Sequence, residues 1–138
     1  MTLPRAWSAR RLRQHCGRAG LGVLLSNLDR ARLDAIQHDL RGLPMGACTT
    51  AWNVSPLPAG YVMIDITEFA FPFTVPPSRL PLSLRQFRTS ELACACVFRS
   101  AYIAYRGRTY EARVWIGGRA KEVDRQRLRQ VIGSITGS

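Results

Sequence analysis

Lysine is almost absent from this chain of 138 residues: Lys121 is the only one, and the other 19 of its 20 basic residues are arginines. The codon usage of a GC-rich genome produces such a preference, so the abundance of arginine says little about a ligand. Acidic residues number only nine, which leaves a formal net charge of +11. No apolar run approaches the roughly 20 residues that a membrane-spanning helix needs. We therefore predict no transmembrane segment and only a weak preference for anionic partners.

Catalytic motifs are missing as well. The chain contains no phosphate-binding glycine loop, no Ser-x-x-Lys and no G-x-S-x-G. His15 lies in a basic stretch and His38 on the solvated side of a predicted helix, so neither is placed to activate a nucleophile. Asp65 and Glu68 are three apart on a predicted strand and point to opposite faces, which argues against a shared acid–base site. We predict that the protein is not an enzyme and uses no cofactor.

The four cysteines raise the questions of metal binding and disulfides together. On a strand, Cys94 and Cys96 point to the same face with Cα atoms about 7 Å apart, near the upper limit for a disulfide between them. Neither the other cysteines nor the histidines have the spacing of a zinc site, so we predict no metal. Small buried thiols are the favoured interpretation, and a disulfide from Cys48 to Cys94 or Cys96 is the alternative.

The basic charge is unevenly distributed along the chain. Residues 1–20 contain five arginines and no acid, residues 21–60 are balanced, and residues 61–138 contain twelve bases and six acids. The apolar run at residues 21–25 that follows the basic stretch is shorter than the roughly 7–15 residues of a signal peptide. We predict a disordered or helical basic tail over residues 1–20, followed by a single domain over residues 21–138.

Hydrophobic periodicity predicts an α+β fold. Strands are expected at residues 21–26, 61–69, 101–105 and 109–116, and helices at 27–41 and 121–135. The strand at 61–69 alternates and should be half-buried, while the prolines that follow predict an extended surface segment over residues 70–84. Ser26 or Asn27 should cap the first helix. The apolar stripe of the second helix consists of Val123, Leu128, Val131, Ile132 and Ile135. The expected architecture is an antiparallel sheet of about four strands with two flanking helices.

A hairpin closed by residues 106–108 carries interleaved aromatic and basic side chains. Such a surface can stack bases and neutralise phosphates, as in sheet-based RNA binders. The candidate binding residues are Tyr105, Arg106, Arg108, Arg113 and Trp115. In the competing interpretation the tyrosines pack under the C-terminal helix and the arginines keep the sheet edge soluble.

Four segments in this order carry a resemblance to a known family. They are Cys16, the run GVLLSN at residues 22–27, the run PAGYVMIDITE at residues 58–68, and the run GRTYEARV at residues 107–114, followed by the closing helix. Over residues 16–135 the chain resembles small, uncharacterised, exported actinobacterial domains, whose architecture is similar to that of PsbP-like α+β domains. The resemblance implies an antiparallel sheet with helices against it, a location outside the membrane, and no catalytic residues. Because no export signal is predicted, a cytoplasmic location is the alternative.

Taken together, these features predict a non-enzymatic interaction domain whose ligand is unknown, exported or associated with the cell envelope. The alternative is a basic module that binds nucleic acid through the tyrosine- and arginine-rich hairpin.

Overall fold

Six antiparallel strands form one sheet in the computed structural model, which describes residues 7–12, 22–32, 34, 59–69, 76–91 and 97–136. The strands are β1 (Ser8–Leu12), β2 (Gly22–Ser26), β3 (Val62–Phe69), β4 (Arg88–Glu91), β5 (Val97–Tyr105) and β6 (Arg108–Ile116). Their order across the sheet is β1-β2-β3-β6-β5-β4, so β3 and β6 lie at the centre and β1 and β4 at the two edges. This confirms the α+β class, with two helices in addition to the sheet, but corrects the number of strands from about four to six.

The two additional strands are the edge strands. β1 pairs with β2 along its whole length, although residues 1–20 were expected to form a disordered or helical tail. Trp7, which precedes β1, is buried in the hydrophobic core. β4 pairs with the first half of β5. Edge strands tolerate polar and charged side chains on both faces, so neither segment shows the apolar alternation from which strands are predicted.

The side chains of the last residue of β2, Ser26, and of the residue after it, Asn27, form hydrogen bonds with the first residue of β3. The Ser26 hydroxyl donates to the Val62 carbonyl at 2.9 Å, and the Asn27 side chain accepts from the Val62 amide at 2.8 Å. These side chains were expected to cap the following helix. The Asp29 carboxylate takes that role instead, since it accepts a hydrogen bond from the Arg32 amide at 2.8 Å. Residues 30–32 and 34 are helical, and the rest of the helix expected at 27–41 lies outside the described residues.

β3 is buried on both faces rather than on one. On one face, Val62 and Ile64 contact the main hydrophobic cluster, as expected from the alternation. On the other face, Met63, Asp65 and Thr67 are buried as well. We call the face that carries Val62 and Ile64 the helix face, because the C-terminal helix contributes to the same cluster, and the opposite face the polar face. The alternation thus separated the two faces correctly, and the polar face of this central strand is buried as well.

The C-terminal helix spans Glu122–Gly133, close to the expected range. Its residues Leu128, Val131 and Ile132 are fully buried against the helix face of the sheet. Val123 was expected on the same stripe but is 47% exposed, because it lies in the first turn, at the end of the packed surface. The helix therefore contacts the sheet through its second half.

The segment after the prolines is only partly at the surface. Residues 76–83 form no helix or strand, and a short 3-10 helix follows at Leu84–Gln86. Leu82 is nevertheless buried in the hydrophobic cluster, which corrects the expectation of a surface segment for its described part, residues 76–84, while residues 70–75 lie outside the described residues. Phe87, after the 3-10 helix, is buried in the same cluster. An extended chain can still bury single side chains, and the prolines restrict only its hydrogen bonding.

Candidate functional site

The five predicted binding residues are divided between the two faces of the sheet. Tyr105 and Arg108 are directly opposite each other across the β5–β6 hairpin, and Tyr105 packs against the hydrophobic cluster of the helix face. Arg113 and Trp115 point to the polar face, where both are buried. The structure thus brings Tyr105, Arg106 and Arg108 together and separates them from Arg113 and Trp115.

The hairpin tip, residues 105–108, is a tight two-residue turn. Arg106 and Gly107 occupy its two central positions with φ angles of 49° and 74°, the pattern that matches the twist of the flanking strands. The Arg106 guanidinium lies 5.1 Å from the centre of the Tyr105 ring. Arg108, whose side chain is 64% exposed, donates to both carboxylate oxygens of Glu68 at 3.1 and 3.2 Å. The tip is therefore basic but partly neutralised by Glu68.

A buried ion pair lies at the centre of the polar face. Asp65 on β3 and Arg113 on β6 are directly opposite each other. The Arg113 guanidinium donates two hydrogen bonds, Nε to Oδ1 at 2.9 Å and Nη2 to Oδ2 at 2.8 Å. The side chains are 6% and 0% exposed for Arg113 and Asp65. Two parallel charge-assisted hydrogen bonds are the strongest arrangement that this pair of groups can make.

Further polar and aromatic groups surround the pair. Glu111, two residues before Arg113 on β6, places its Oε2 4.0 Å from the Arg113 Nε. The Arg113 guanidinium also lies 5.3 Å from the centre of the Trp115 ring. Glu111 and Trp115 are buried with it. The Arg113 guanidinium thus binds the carboxylate of Asp65 on the neighbouring strand. It also lies beside the Glu111 carboxylate and the Trp115 indole of its own strand.

This geometry suits a structural role better than proton transfer. Both oxygens of Asp65 accept hydrogen bonds from Arg113, and a guanidinium does not lose its proton in proteins. From the sequence, Asp65 is one of two carboxylates weighed for an acid–base site, and Arg113 is a candidate binding residue. Their pairing has no signal in the sequence, because they are 48 residues apart and only the register of β3 against β6 brings them together.

A cluster of exposed arginines surrounds the edge strand β4, and we call it the basic edge. Arg88 lies on β4, Arg99 on β5 is paired with Thr89, and Arg85 lies in the 3-10 helix directly before β4. The backbone of Arg79 lies next to this 3-10 helix, because the Arg79 backbone carbonyl accepts a hydrogen bond from the Gln86 side chain at 2.7 Å. All four arginines are exposed, and none takes part in an ion pair within the part of the chain that the structure describes.

The basic edge is not recognisable from the sequence. The four arginines are spread over 21 positions, and no segment among them has the alternation of a strand. The sequence offers one signal, the twelve basic and six acidic residues of the segment 61–138. This composition indicates an excess of positive charge but not where it lies on the surface.

Acidic side chains outside the basic edge form ion pairs with arginines of the helix and of the sheet. Asp124 pairs with Arg127 at 3.3 Å, and Glu122 pairs with Arg129, both within the C-terminal helix. Together with the pairs made by Asp65 and Glu68, these contacts neutralise arginines on the helix, in the centre of the sheet and at the hairpin tip. The basic edge contains four arginines and one acidic residue of β4, Glu91, so an excess of positive charge remains there.

The predicted thiol residues Cys48, Cys94 and Cys96 lie outside the described residues. Among the residues that are described, no group of three or more His, Cys, Asp or Glu side chains could hold a metal ion. Within the same ranges, none of the helices has the length and apolar character to cross a membrane.

Comparison with models of protein families, with curated proteins and with solved structures found no match to this chain.

Proposed function

We propose that this protein is a non-enzymatic interaction domain that binds an anionic partner through surface arginines. One observation carries the proposal: carboxylates such as Asp65 and Glu68 are used as structural partners of arginines, whereas the arginines of the basic edge have none within the described ranges. Both oxygens of Asp65 are hydrogen bonded, which supports a structural rather than a catalytic use of this group. A location outside the membrane, which the family resemblance implies, belongs to the same proposal.

A nucleic-acid-binding module is the second candidate. It is favoured by Arg106, an exposed guanidinium at the turn of the hairpin. Three features weigh against a base-stacking surface. Arg106 lies over the Tyr105 ring, Trp115 is buried, and the two aromatic residues are on opposite faces. Base stacking needs an accessible aromatic face, which neither residue provides in this arrangement.

The proposal is tested by titrating the full chain against labelled anionic probes and following fluorescence anisotropy. We expect polyglutamate to bind in the micromolar range and to lose about tenfold in affinity when NaCl is raised from roughly 50 to 200 mM, because salt screens exposed charges. Polylysine of the same length is the control and should not bind. An absence of binding to every anionic probe at low salt would contradict the proposal.

The second candidate is tested in the same titration with a single-stranded oligonucleotide and the variant Arg106→Glu. Tighter binding of the oligonucleotide than of polyglutamate, together with a loss of affinity in Arg106→Glu, would favour the nucleic-acid module. Equal affinity of the wild type and Arg106→Glu for the oligonucleotide would exclude the hairpin tip as its binding site.

A further inference from the structure

We propose that this protein forms a dimer in which two copies exchange the two halves of their sheets. The N-terminal half contains β1, β2 and β3 and ends at Phe69. The C-terminal half begins at Ser78 and contains β4, β5, β6 and the C-terminal helix. In the exchanged dimer, β3 of each copy pairs with β6 of the other. The partner is thus a second copy of this chain, and the interaction goes beyond the proposed binding of anions.

The order of the strands divides the sheet at a single junction. β1, β2 and β3 are adjacent in the sheet, as are β4, β5 and β6, and among the described strands none of one half lies within the other. These strands join the two halves only where β3 pairs with β6, from Val62 opposite Ile116 to Phe69 opposite Thr109. Separation of the halves therefore breaks one strand pairing and leaves the order within each half intact.

Neither half has a complete core of its own. The hydrophobic cluster of the helix face draws on both halves, with Trp7, Leu25, Val62 and Ile64 from the first and Ala101, Val114, Leu128 and Ile132 from the second. The buried pair of the polar face takes Asp65 from one half and Arg113 from the other. A chain with separated halves exposes apolar surface and leaves both charges without their counterpart. A second copy provides the surface that matches each half in shape, register and charge.

The contacts between the halves recur in the exchanged dimer, where each is made between two copies. Besides the strand pairing and the buried ion pair, they include two backbone hydrogen bonds. The Gly117 amide donates to the Tyr61 carbonyl at 2.8 Å, and the Arg119 amide donates to the Ala59 carbonyl at 2.9 Å. Because the same contacts stabilise both forms, the balance between monomer and dimer depends on the connection between the halves and on protein concentration.

The connection between the halves, residues 70–77, is long and rich in proline. Three of its eight residues are prolines, at positions 72, 76 and 77. The Ser78 amide donates to the Tyr102 carbonyl on the outer side of β5, so within one chain the connection joins points roughly 14 Å apart, three spacings of about 4.8 Å. Nine residue steps at the polyproline rise of about 3.1 Å reach about 28 Å. The preference of proline for an extended chain therefore favours the separated arrangement of the halves.

Contact between exposed surfaces is the other way to form a dimer. Each copy has a formal net charge of +11, so such a contact brings like charges together. Exchange instead repeats buried contacts that are already complementary. A dimer formed through exposed surfaces keeps Asp65 and Arg113 paired within each chain, and this difference makes the two kinds of dimer distinguishable.

Two charge-reversal variants of the full chain, Asp65→Arg and Arg113→Asp, test the exchange. Each variant alone places two like charges at the buried central pair and should unfold at a lower urea concentration than the wild type, or fail to fold. In an exchanged dimer of the two variants, one junction combines the two substituted residues and the other combines the two original ones. Both junctions then contain one acidic and one basic residue.

We therefore expect an equimolar mixture of the two variants, refolded together from urea, to give at least about tenfold more folded protein than either variant alone. Light scattering should show a particle of twice the 15.4 kDa mass of one chain. Native mass spectrometry should find the two variants in equal amounts in this particle.

A matched control uses an ion pair that lies within one half. Asp124 and Arg127 are both in the C-terminal helix, 3.3 Å apart, so exchange keeps them in the same chain. A mixture of Asp124→Arg and Arg127→Asp should show no gain over the separate variants. The single chain that carries both Asp65→Arg and Arg113→Asp is the second control, and its folding establishes that the reversed pair is accepted at the junction.

The wild type provides a measurement that does not depend on substitutions. Closure within one chain corresponds to an effective concentration in the millimolar range. We expect light scattering to show a dimer after refolding at about 1 mM and a monomer after refolding at about 10 µM, in about 0.3 M NaCl to screen the charges. The dimer should persist after dilution, because its separation requires β3 and β6 to come apart, whereas a surface dimer dissociates at once.

Three outcomes would overturn the exchange. They are a folded double variant with no gain in the mixture of Asp65→Arg and Arg113→Asp, an equal gain in the control mixture, or a wild type that remains monomeric after refolding at about 1 mM. If the double variant does not fold, the wild-type measurement decides. None of these measurements uses an anionic probe, so the exchange and the proposed function fail separately.

Discussion

The ion pair of Asp65 and Arg113 shows how single residues determine the stability of this sheet. Both groups have lost their contact with water, and each compensates the other through two hydrogen bonds. The net contribution of such a pair is small, because desolvation of the charges offsets most of their attraction. Removal of one partner is costly, because the remaining charge stays buried without its counterpart.

At this scale we predict that Asp65→Leu lowers the free energy of unfolding by about 3 kcal/mol or more, measured by urea denaturation. The double variant Asp65→Leu with Arg113→Leu should recover a large part of the loss, since no buried charge of this pair remains. Glu68→Gln is the control at the exposed pair with Arg108 and should cost less than about 1 kcal/mol. Equal losses in Asp65→Leu and Glu68→Gln would show that burial of the central pair is unimportant.

At the scale of the elements, the β5–β6 hairpin depends on backbone conformation in its turn. Gly107 has a φ of 74°, a value that residues with a Cβ adopt at a cost. A Cβ added there would meet no neighbouring atom within 4 Å, so any loss of stability must arise from the backbone itself. Gly118, after β6, is equally open but does not have a positive φ.

We therefore predict that Gly107→Ala lowers the free energy of unfolding by about 1 kcal/mol, whereas Gly118→Ala leaves it unchanged or raises it slightly. The pair isolates conformational strain, because both sites have space for the methyl group. Thermal or urea unfolding of the two variants provides the measurement. A loss in Gly118→Ala as large as that in Gly107→Ala would contradict the role assigned to the turn.

At the scale of the whole molecule, the sheet consists of two groups of three consecutive strands that meet at its centre. β1, β2 and β3 are neighbours in sequence order, as are β4, β5 and β6, and the two groups join through the eight residue pairs of β3 and β6. The N-terminal region takes part in this assembly, because β1 closes one edge and Trp7 enters the core.

We predict that deletion of residues 1–12 lowers the free energy of unfolding by about 3–5 kcal/mol, the range for loss of a large buried aromatic residue. The variant that lacks only residues 1–6 is the control, since it keeps Trp7 and β1. Chemical denaturation of the two truncated proteins measures the difference. Equal stability of both proteins would support a disordered or helical basic tail over residues 1–20.

The parts of the fold that could be predicted from the sequence are those that depend on local patterns. The strands at 22–26 and 62–69, the long hairpin and the C-terminal helix follow from local patterns, namely alternation, turn glycines and a helical apolar stripe. β1 and β4 carry no such pattern. Their strand conformation comes from backbone pairing with β2 and β5, which is a non-local interaction.

The candidate sites show the same division. The sequence by itself determined the basic charge, the alternating hairpin and the positions of Tyr105, Arg106 and Arg108 around its turn. Only the tertiary structure decided that Arg113 is a buried partner of Asp65, and that Arg79, Arg85, Arg88 and Arg99 surround one sheet edge. The physical reason is that residue type and spacing determine which face of its own element a side chain can occupy. The register between distant strands determines what that side chain meets and whether water still reaches it.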